Sequence, residues 1–144
     1  VTTPESYLGS ARADRFLTGP IESGTRSFAV PGSGLPPDSL AYGGRWRIAP
    51  DRATAVKDAR LDLAFGARRV FLVLGSEGGE PRRVRLLLDG RPLPGRLAGS
   101  DARGGFVTVR GERLYRLVEL PRAGRHLLSL RFEPGVSGYA FTFG

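Results

Sequence analysis

The side chains most able to do chemistry in this sequence are few and scattered. His126 is the one histidine, and the chain contains no cysteine and no methionine. A lone histidine cannot build a histidine-rich metal site or a cysteine–histidine pair, and without cysteine the chain can form no disulfide or thiolate site. The Gly-x-Ser-x-Gly, Gly-x-x-x-x-Gly-Lys and Gly-x-Gly-x-x-Gly patterns are also absent. We therefore expect a chain that is not an enzyme, with no cofactor, no metal and a structural role for His126.

The carboxylates do not change this expectation. A glycosidase needs a pair of them as acid and base, but most flank turns or lie on the polar side of predicted strands, and no two stand out. Asp89 and Asp101 lie in loops of the kind that can hold calcium. No Asp-x-Asp-x-Asp spacing supports a calcium site in either loop.

Trp46 and Tyr42 are the aromatic residues best placed to meet a ligand. A flat ring with a polar edge suits a sugar, and both residues lie beside a glycine pair and two arginines. Aromatic residues on strands more often fill the core, so the sequence leaves both interpretations open. If a sugar is bound, Trp46 would be the stacking platform and Tyr42 its partner, and Arg45, Arg47 and Asp89 would form hydrogen bonds with the sugar hydroxyls. The predicted ligand-binding residues are Trp46, Tyr42, Arg45, Arg47 and Asp89.

The charge is strongly positive, with a formal net charge of +8 and only Lys57 as lysine among 22 basic residues. The arginines are spread along the chain and often adjoin Asp or Glu, so biased composition accounts for them better than a phosphate-binding surface. We predict no nucleic-acid partner. The longest uncharged apolar run, Val70 to Leu74, is far too short to cross a bilayer, which predicts no direct membrane insertion.

Alternating apolar and polar residues between Gly and Pro breaks predict antiparallel strands. The pattern is clearest in the last third, where strands over 113–120, 126–132 and 139–143 are separated by breaks at 121–124 and 134–135. A segment over 54–65 is compatible with a short helix, but its surroundings favour a strand ended by Gly66. The other predicted strands cover 26–30, 40–48, 69–74 (apolar throughout, hence covered on both faces), 83–88 and 106–109, with loops over 31–38 and 91–104.

This spacing of strands and turns predicts an all-β fold. Roughly eight to ten strands with turns every 8–12 residues are typical of a two-sheet antiparallel β-sandwich. We expect a jelly-roll-like sandwich in a single domain over residues 1–144.

Several stretches resemble one accessory domain of bacterial proteins. The two ends, TPESYLG (3–9) and PGVSGYAFTFG (134–144), carry the most specific similarity, and Trp46, Leu72–Leu74 and Leu88–Gly90 match between them. Over essentially its whole length the chain resembles the C-terminal domain attached behind a thioredoxin-like domain in DipZ-type proteins.

The resemblance implies more than the residues do. Family members carry an upstream thioredoxin-like domain with a Cys-x-x-Cys motif and act outside the cytoplasm as thiol–disulfide oxidoreductases, and the C-terminal domain is similar to a jelly-roll carbohydrate-binding module. No family catalytic residue has a counterpart in this chain. Because Val1 is not methionine, we expect the chain to be a piece of a longer protein, and the resemblance implies that it is the C-terminal portion.

Two hypotheses from different classes follow. The first is a non-catalytic accessory domain that binds carbohydrate, a cell-envelope glycan or a client protein for its upstream thioredoxin-like domain. The alternative is a structural or interaction domain that packs on that neighbour or forms a homodimer and binds no small ligand. The alternative predicts an exposed apolar patch on the order of several hundred Å².

Overall fold

Ten β-strands account for nearly all the regular structure. The computed structural model describes residues 2–30, 32 and 34–144; Pro31 and Ser33 of the predicted loop over 31–38 lie outside the described residues. Two single-turn 3-10 helices, Glu77–Gly79 and Gly95–Leu97, complete the elements. The strands are β1 (Ser6–Tyr7), β2 (Gly24–Phe28), β3 (Leu40–Ile48), β4 (Ala53–Ser76), β5 (Arg82–Leu88), β6 (Arg91–Pro92), β7 (Ala102–Arg103), β8 (Phe106–Val109), β9 (Arg113–Phe132) and β10 (Val136–Phe143).

Two long strands, β4 and β9, form the centre of the fold. They pair antiparallel along nearly their whole length, from Ala59 opposite Phe132 to Leu74 opposite Arg113. The first half of β4 also pairs with β3, and its second half pairs with β10. The second half of β9 pairs with β5. Each long strand therefore belongs to two different sets of neighbours.

This arrangement bends one continuous sheet into two layers. The first layer runs β2-β3-β4-β9-β5-β8-β7 and the second runs β1-β10-β4-β9, with every strand pair antiparallel. The layers face each other across the core, since a Cβ at Gly138 on β10 would lie 3.9 Å from Phe132 Cε2 in the first layer. Strands that pass between sheets through bends or bulges form the corners of such sandwiches. The predicted all-β antiparallel sandwich is confirmed.

The bend between the layers lies at a bulge where two strand breaks were expected. Gly66 was predicted to end a strand, but β4 runs through it without interruption. Residues 121–124 were also predicted to be a break; β9 instead bulges there, because residues 120–123 lie opposite Arg68 alone, between the pairs Glu119–Arg69 and Gly124–Ala67. Arg68 Nε donates to the Leu120 carbonyl at 3.1 Å. Both predictions were wrong because a bulge whose backbone groups are satisfied lets a strand continue.

The inward side of β4 changes parity at this bulge. Odd-numbered residues such as Leu61 and Leu63 are buried before it, and even-numbered residues such as Leu72 are buried after it. Phe71 and Val73 alternate with the buried positions and are only partly covered. The prediction that the run 69–74 is covered on both faces is therefore wrong, since only one of its faces lies in the core.

A chain of aromatic rings fills the first layer's side of the core. Ring centroids are 4.8 Å apart for Phe16 and Tyr42, 5.0 Å for Tyr42 and Trp46, and 4.9 Å for Trp46 and Phe132. Trp46 Nε1 donates to the Gly43 carbonyl at 2.9 Å. Tyr42 Oη donates to a backbone carbonyl at 2.7 Å, and burial raises the pKa of Tyr42. Both polar groups are thus satisfied inside the protein.

The glycine pair beside Trp46 serves the backbone. Gly44 has a φ of +76°, and a Cβ there would lie 2.0 Å from the Asp58 carbonyl oxygen. The register between β3 and β4 shifts at this point. Gly44 is therefore required by a β-bulge, in a conformation and at a distance that only glycine tolerates.

Trp46 is expected to stabilise the fold and not to bind sugar. Trp46→Ala should lower the free energy of unfolding by about 3–5 kcal/mol, because it removes a large buried side chain and leaves a cavity. Urea denaturation followed by circular dichroism measures this loss. Leu114→Ala, at a side chain that is 39% exposed, is the control and should change stability by less than about 0.5 kcal/mol. A Trp46→Ala protein of unchanged stability would contradict the assignment of Trp46 to the core.

Candidate functional site

The two rings predicted to stack on a sugar have no exposed surface. Trp46 is 0% exposed and Tyr42 is 1% exposed. A sugar cannot reach either ring without displacing the core around it. The prediction that they form a stacking platform is corrected: both are core residues.

The remaining predicted residues do not converge on one place. Arg45 is exposed on β3 and lies opposite Lys57 of β4. Asp89 accepts a hydrogen bond from Leu127 N at 2.9 Å, and Leu127 lies opposite Ala64 of β4. Positions 57 and 64 of an extended strand are roughly 23 Å apart. Arg45 and Asp89 therefore cannot contact the same small ligand.

Asp89 forms a compact polar cluster in the turn between β5 and β6. Its φ is +51°, and its Oδ2 lies 2.6 Å from His126 Nδ1. Because a carboxylate only accepts, Nδ1 carries the hydrogen. Partial burial tends to raise the pKa of Asp89, but the hydrogen bonds from His126 and Leu127 outweigh it and hold that pKa below its usual value. The cluster fixes the turn to β9, in agreement with the structural role expected for His126.

Asp89 borders a cleft at its own polar cluster, and Arg47 borders a second cleft formed by different residues. This second cleft has a volume of about 330 Å³. It lies where the two ends of β4 meet across β10, since Ser137 is in register with both Thr54 and Gly75. The register between β10 and β4 shifts between Gly138, opposite Leu74, and Ala140, opposite Val73, so Tyr139 is the extra residue of a bulge. Bulges redirect side chains and are common beside functional sites. The side chains around the cleft include Arg47, Arg52, Glu77, Arg110, Glu112 and Tyr139.

Tyr139 is the aromatic residue of the cleft. Its side chain is half-buried, and the Arg52 guanidinium lies 5.8 Å from its ring centroid. Arg52 Nη1 donates to Tyr139 Oη at 3.2 Å. Burial and the nearby Glu112 carboxylate raise the pKa of Tyr139, while Arg52 opposes the rise. The tyrosine hydroxyl therefore stays protonated at neutral pH, between a cation and an anion.

Four further polar side chains of the cleft form two pairs, one buried and one exposed. Thr54 Oγ1 and Ser137 Oγ are 2.7 Å apart and both residues are buried. Arg47 Nη2 donates to Glu77 Oε1 at 3.1 Å, with both side chains more than half exposed. An exposed pair of this kind contributes little to stability and is free to exchange partners with a ligand.

The cleft offers polar donors and acceptors around one ring face, which is the composition of a binding site for a polar ligand. Within the described part of the chain, no group of three or more His, Asp or Glu residues is arranged to hold a metal ion. No helix among the described residues is long and apolar enough to cross a membrane. Sequence reasoning did not identify Tyr139 as a cleft residue. Tyr139 alternates with Phe141 and Phe143 along the strand, and this pattern favoured a core position for all three.

Sequence comparison identifies the chain. The family model described as the thioredoxin-like C-terminal domain matches residues 3–144. The chain belongs to this family. No curated protein is similar enough in sequence to count as a match. The resemblance noted in the sequence is thus confirmed at the level of the C-terminal domain family.

Solved structures of carbohydrate esterases share the fold of this C-terminal domain. A family two carbohydrate esterase from Cellvibrio japonicus matches with a TM-score of 0.56 at 15% identity, over 72% of this chain and 30% of the esterase. A family two esterase from Clostridium thermocellum, in complex with cellohexaose, matches with a TM-score of 0.57 at 22% identity, over 74% of this chain and 31% of the esterase. At these identities the likeness shows the fold alone, and the chain covers under a third of either enzyme.

The Asp89 cluster generates a pH-dependent prediction. In the unfolded chain the pKa of Asp89 returns to about 3.9, so its contribution to stability is present above that pH and is lost as the pH falls through the lower folded pKa. Asp89→Asn keeps the left-handed turn and should cost about 0.5–1 kcal/mol near pH 5, because the carboxylate is half exposed and its hydrogen bonds are screened.

Urea denaturation of both proteins between about pH 5 and pH 2 measures this difference. The gap in free energy of unfolding between wild type and Asp89→Asn should shrink as the pH falls below about 4. A gap that stays constant down to the lowest pH would mean that the carboxylate charge of Asp89 does not stabilise the turn.

Proposed function

We propose that this chain is a non-catalytic accessory domain that binds carbohydrate in the cleft around Tyr139. The observation that carries the proposal is the cleft itself. It combines a half-buried tyrosine ring with arginine and carboxylate side chains at the junction of the two layers. The sandwich fold shared with carbohydrate esterases supports the proposal, although a fold alone does not fix a function.

The chemistry of the cleft suits a neutral sugar. A tyrosine ring can cover the apolar face of a pyranose while its hydroxyl and the neighbouring side chains bond the sugar hydroxyls. Arg47 is paired with Glu77, and the Tyr139 hydroxyl interacts with both Arg52 and Glu112. Charges of both signs line the cleft, so it has no strong preference for an ionic ligand.

The wider context of the domain is part of the same proposal. We infer that the domain follows a thioredoxin-like domain in a DipZ-type thiol–disulfide oxidoreductase and acts on the extracytoplasmic side of the membrane. Family membership supports this neighbour, and the redox chemistry would belong to the neighbour because this chain has no cysteine. Binding an envelope glycan would hold the redox domain near its clients.

The alternative, a domain that only packs on its neighbour or dimerises, has less support. It calls for a contiguous apolar patch. The large hydrophobic side chains exposed among the described residues are Leu17 between β1 and β2, Val30 after the end of β2, and Leu114 on β9. If the isolated chain sediments as a dimer and binds no glycan, this alternative would be favoured.

The proposal predicts the effect of removing the Tyr139 ring. A glycan array identifies the best neutral glycan, with cellohexaose included, and calorimetry measures its dissociation constant. Tyr139→Ala should weaken binding at least about tenfold, equivalent to 1.4 kcal/mol or more. Arg52→Gln should weaken it less, because arginine supplies hydrogen bonds but not the ring face.

Two controls make this test specific. Tyr139→Phe keeps the ring and removes the hydroxyl, so it should retain most of the affinity. Tyr7→Ala changes another partly exposed tyrosine, on β1, outside the cleft, and should leave binding unchanged. Equal loss in Tyr139→Ala and Tyr7→Ala, or a folded wild type that binds no glycan, would refute the cleft as a sugar site.

A further inference from the structure

A row of arginines crosses the outer face of the first layer. Strand register places Arg60 directly opposite Arg131, and Arg131 directly opposite Arg85. Arg85 in turn lies opposite Phe106, and Phe106 lies opposite Arg103. Residues directly opposite on neighbouring strands share a face of the sheet. We call Arg60, Arg131, Arg85 and Arg103 the arginine row; it spans five strands, or roughly 19 Å.

The row faces away from the core. The residues that flank Arg131 along β9, Leu130 and Phe132, are both buried, as are Val84 and Leu86 on either side of Arg85. Arg131 itself is exposed. The guanidinium groups of the row therefore point outward from the sheet.

The row borders an open groove of about 640 Å³ on the outer face. Three of its arginines, Arg60, Arg85 and Arg131, line this groove together with Lys57. Val30 forms one rim of the groove. A linear chain could therefore lie along the row and contact several guanidinium groups at once.

Most of this positive charge is not neutralised within the protein. Arg60 is anchored by Asp62, with N–O distances of 2.9 and 2.8 Å. For Arg85, Arg131 and Arg103, no carboxylate of the described residues lies within 4.0 Å of the guanidinium. Like charges directly opposite one another destabilise a sheet. The row thus carries a repulsion that a bound anion would relieve.

Two carboxylates and one further arginine complete the surroundings. Asp58 and Glu133 also line the groove, and Glu133 accepts a hydrogen bond from the backbone of Arg83. The Arg83 guanidinium lies 4.2 Å from the ring centroid of Phe106, which lies between Arg85 and Arg103, so it adds a cation beside the row. Positive groups still outnumber negative ones along the whole face.

We propose that the arginine row binds a carboxylate-bearing polysaccharide laid across the strands of the first layer. Guanidinium groups match carboxylates in planar, bidentate geometry, and successive arginines would meet successive uronic acids of a linear chain. This inference rests on the proposed function, because it takes the ligand to be a glycan. It differs from the proposed function in two respects: the glycan binds on the outer face of the first layer, and its negative charge is recognised.

Other polyanions fit this face less well. Single-stranded nucleic acid is held by aromatic platforms on which bases stack. Phe106, the ring that lies between two arginines of the row, is already covered by Arg83. Duplex DNA is read by elements that enter a groove, and the row lies within a sheet face. A membrane would require exposed apolar groups beside the charges, and among the described residues Val30 is the one large exposed apolar side chain that lines the groove.

The test uses oligogalacturonate and its methyl ester, which differ only in charge. The chain should bind the oligogalacturonate saturably and the ester at least about tenfold more weakly, with affinity that falls as salt rises. The double variant R85Q/R131Q should weaken binding about a hundredfold, as expected for tenfold per lost bidentate contact. R91Q/R122Q makes the same change in net charge at exposed arginines outside the row and should weaken binding less than about twofold.

Three further measurements distinguish specific binding at the row from a general effect of charge, from misfolding and from binding in the cleft. R85K/R131K keeps the charge but not the planar fork, and should fall between the wild type and R85Q/R131Q. R85Q/R131Q should unfold at the same urea concentration as the wild type or a higher one, because it removes a like-charge contact. Tyr139→Ala should bind oligogalacturonate as the wild type does, which distinguishes this site from the cleft.

Several results would overturn the inference while leaving the cleft untouched. These are equal loss in R85Q/R131Q and R91Q/R122Q, equal affinity for oligogalacturonate and its methyl ester, or tighter binding of poly-glutamate or single-stranded DNA than of oligogalacturonate. The absence of any oligogalacturonate binding by a chain that still binds a neutral glycan through Tyr139 would also overturn it.

Discussion

The structure depends on the pairing of β4 with β9 through both layers of the sandwich. These two strands are paired along almost their full length, and the ladder is interrupted by the bulge of residues 120–123 opposite Arg68 and by a one-residue shift between Val70 and Phe71. Because one ladder belongs to both layers, neither layer can move without distorting the other. The bulge at the bend is closed by the last residue, whose carbonyl oxygen accepts from both Arg68 N and Arg69 N at 2.9 and 3.0 Å.

The same constraint produces the cleft. A strand that bends through both layers brings its own two ends together, and β10 bridges them by pairing Ser137 with Thr54 and with Gly75. The register between β10 and β4 also shifts between Gly138, opposite Leu74, and Ala140, opposite Val73, so β10 is irregular there. Tyr139 lies within this irregular stretch, and its side chain is half-buried at the cleft. The candidate site is thus a consequence of how the sandwich closes.

Much of the fold could be predicted from local sequence, because strands with one buried face impose a two-residue period. The strand over 40–48 has the predicted bounds, and the strand predicted over 83–88 ends at Leu88 as expected. The strand interpretation of 54–65 is confirmed, although it is only part of β4. Gly66 and residues 121–124 were misjudged because glycine and proline mark a bulge as readily as an end, and only the partner strand distinguishes the two.

The candidate site was harder to predict. Arg45 and Arg47 both point outward, so Trp46 between them must point inward; the alternation contained this signal, but the nearby glycines suggested a ligand site. The cleft joins residues from β3, β4, β10 and two turns, and their proximity depends on long-range register that periodicity does not specify. The arginine row has the same origin, since its members are far apart in sequence and adjacent only across strands.

The central claim is that the closing corner of the sandwich, not the region around its tryptophan, recognises a glycan. An NMR titration of the ¹⁵N-labelled chain with the best neutral glycan from the array tests this claim most directly. If the cleft binds the glycan, the largest chemical-shift changes should occur at the backbone amides of residues 52–54, 75–79, 110–112 and 137–139. Changes concentrated around residues 42–46, or none at saturating glycan, would contradict it.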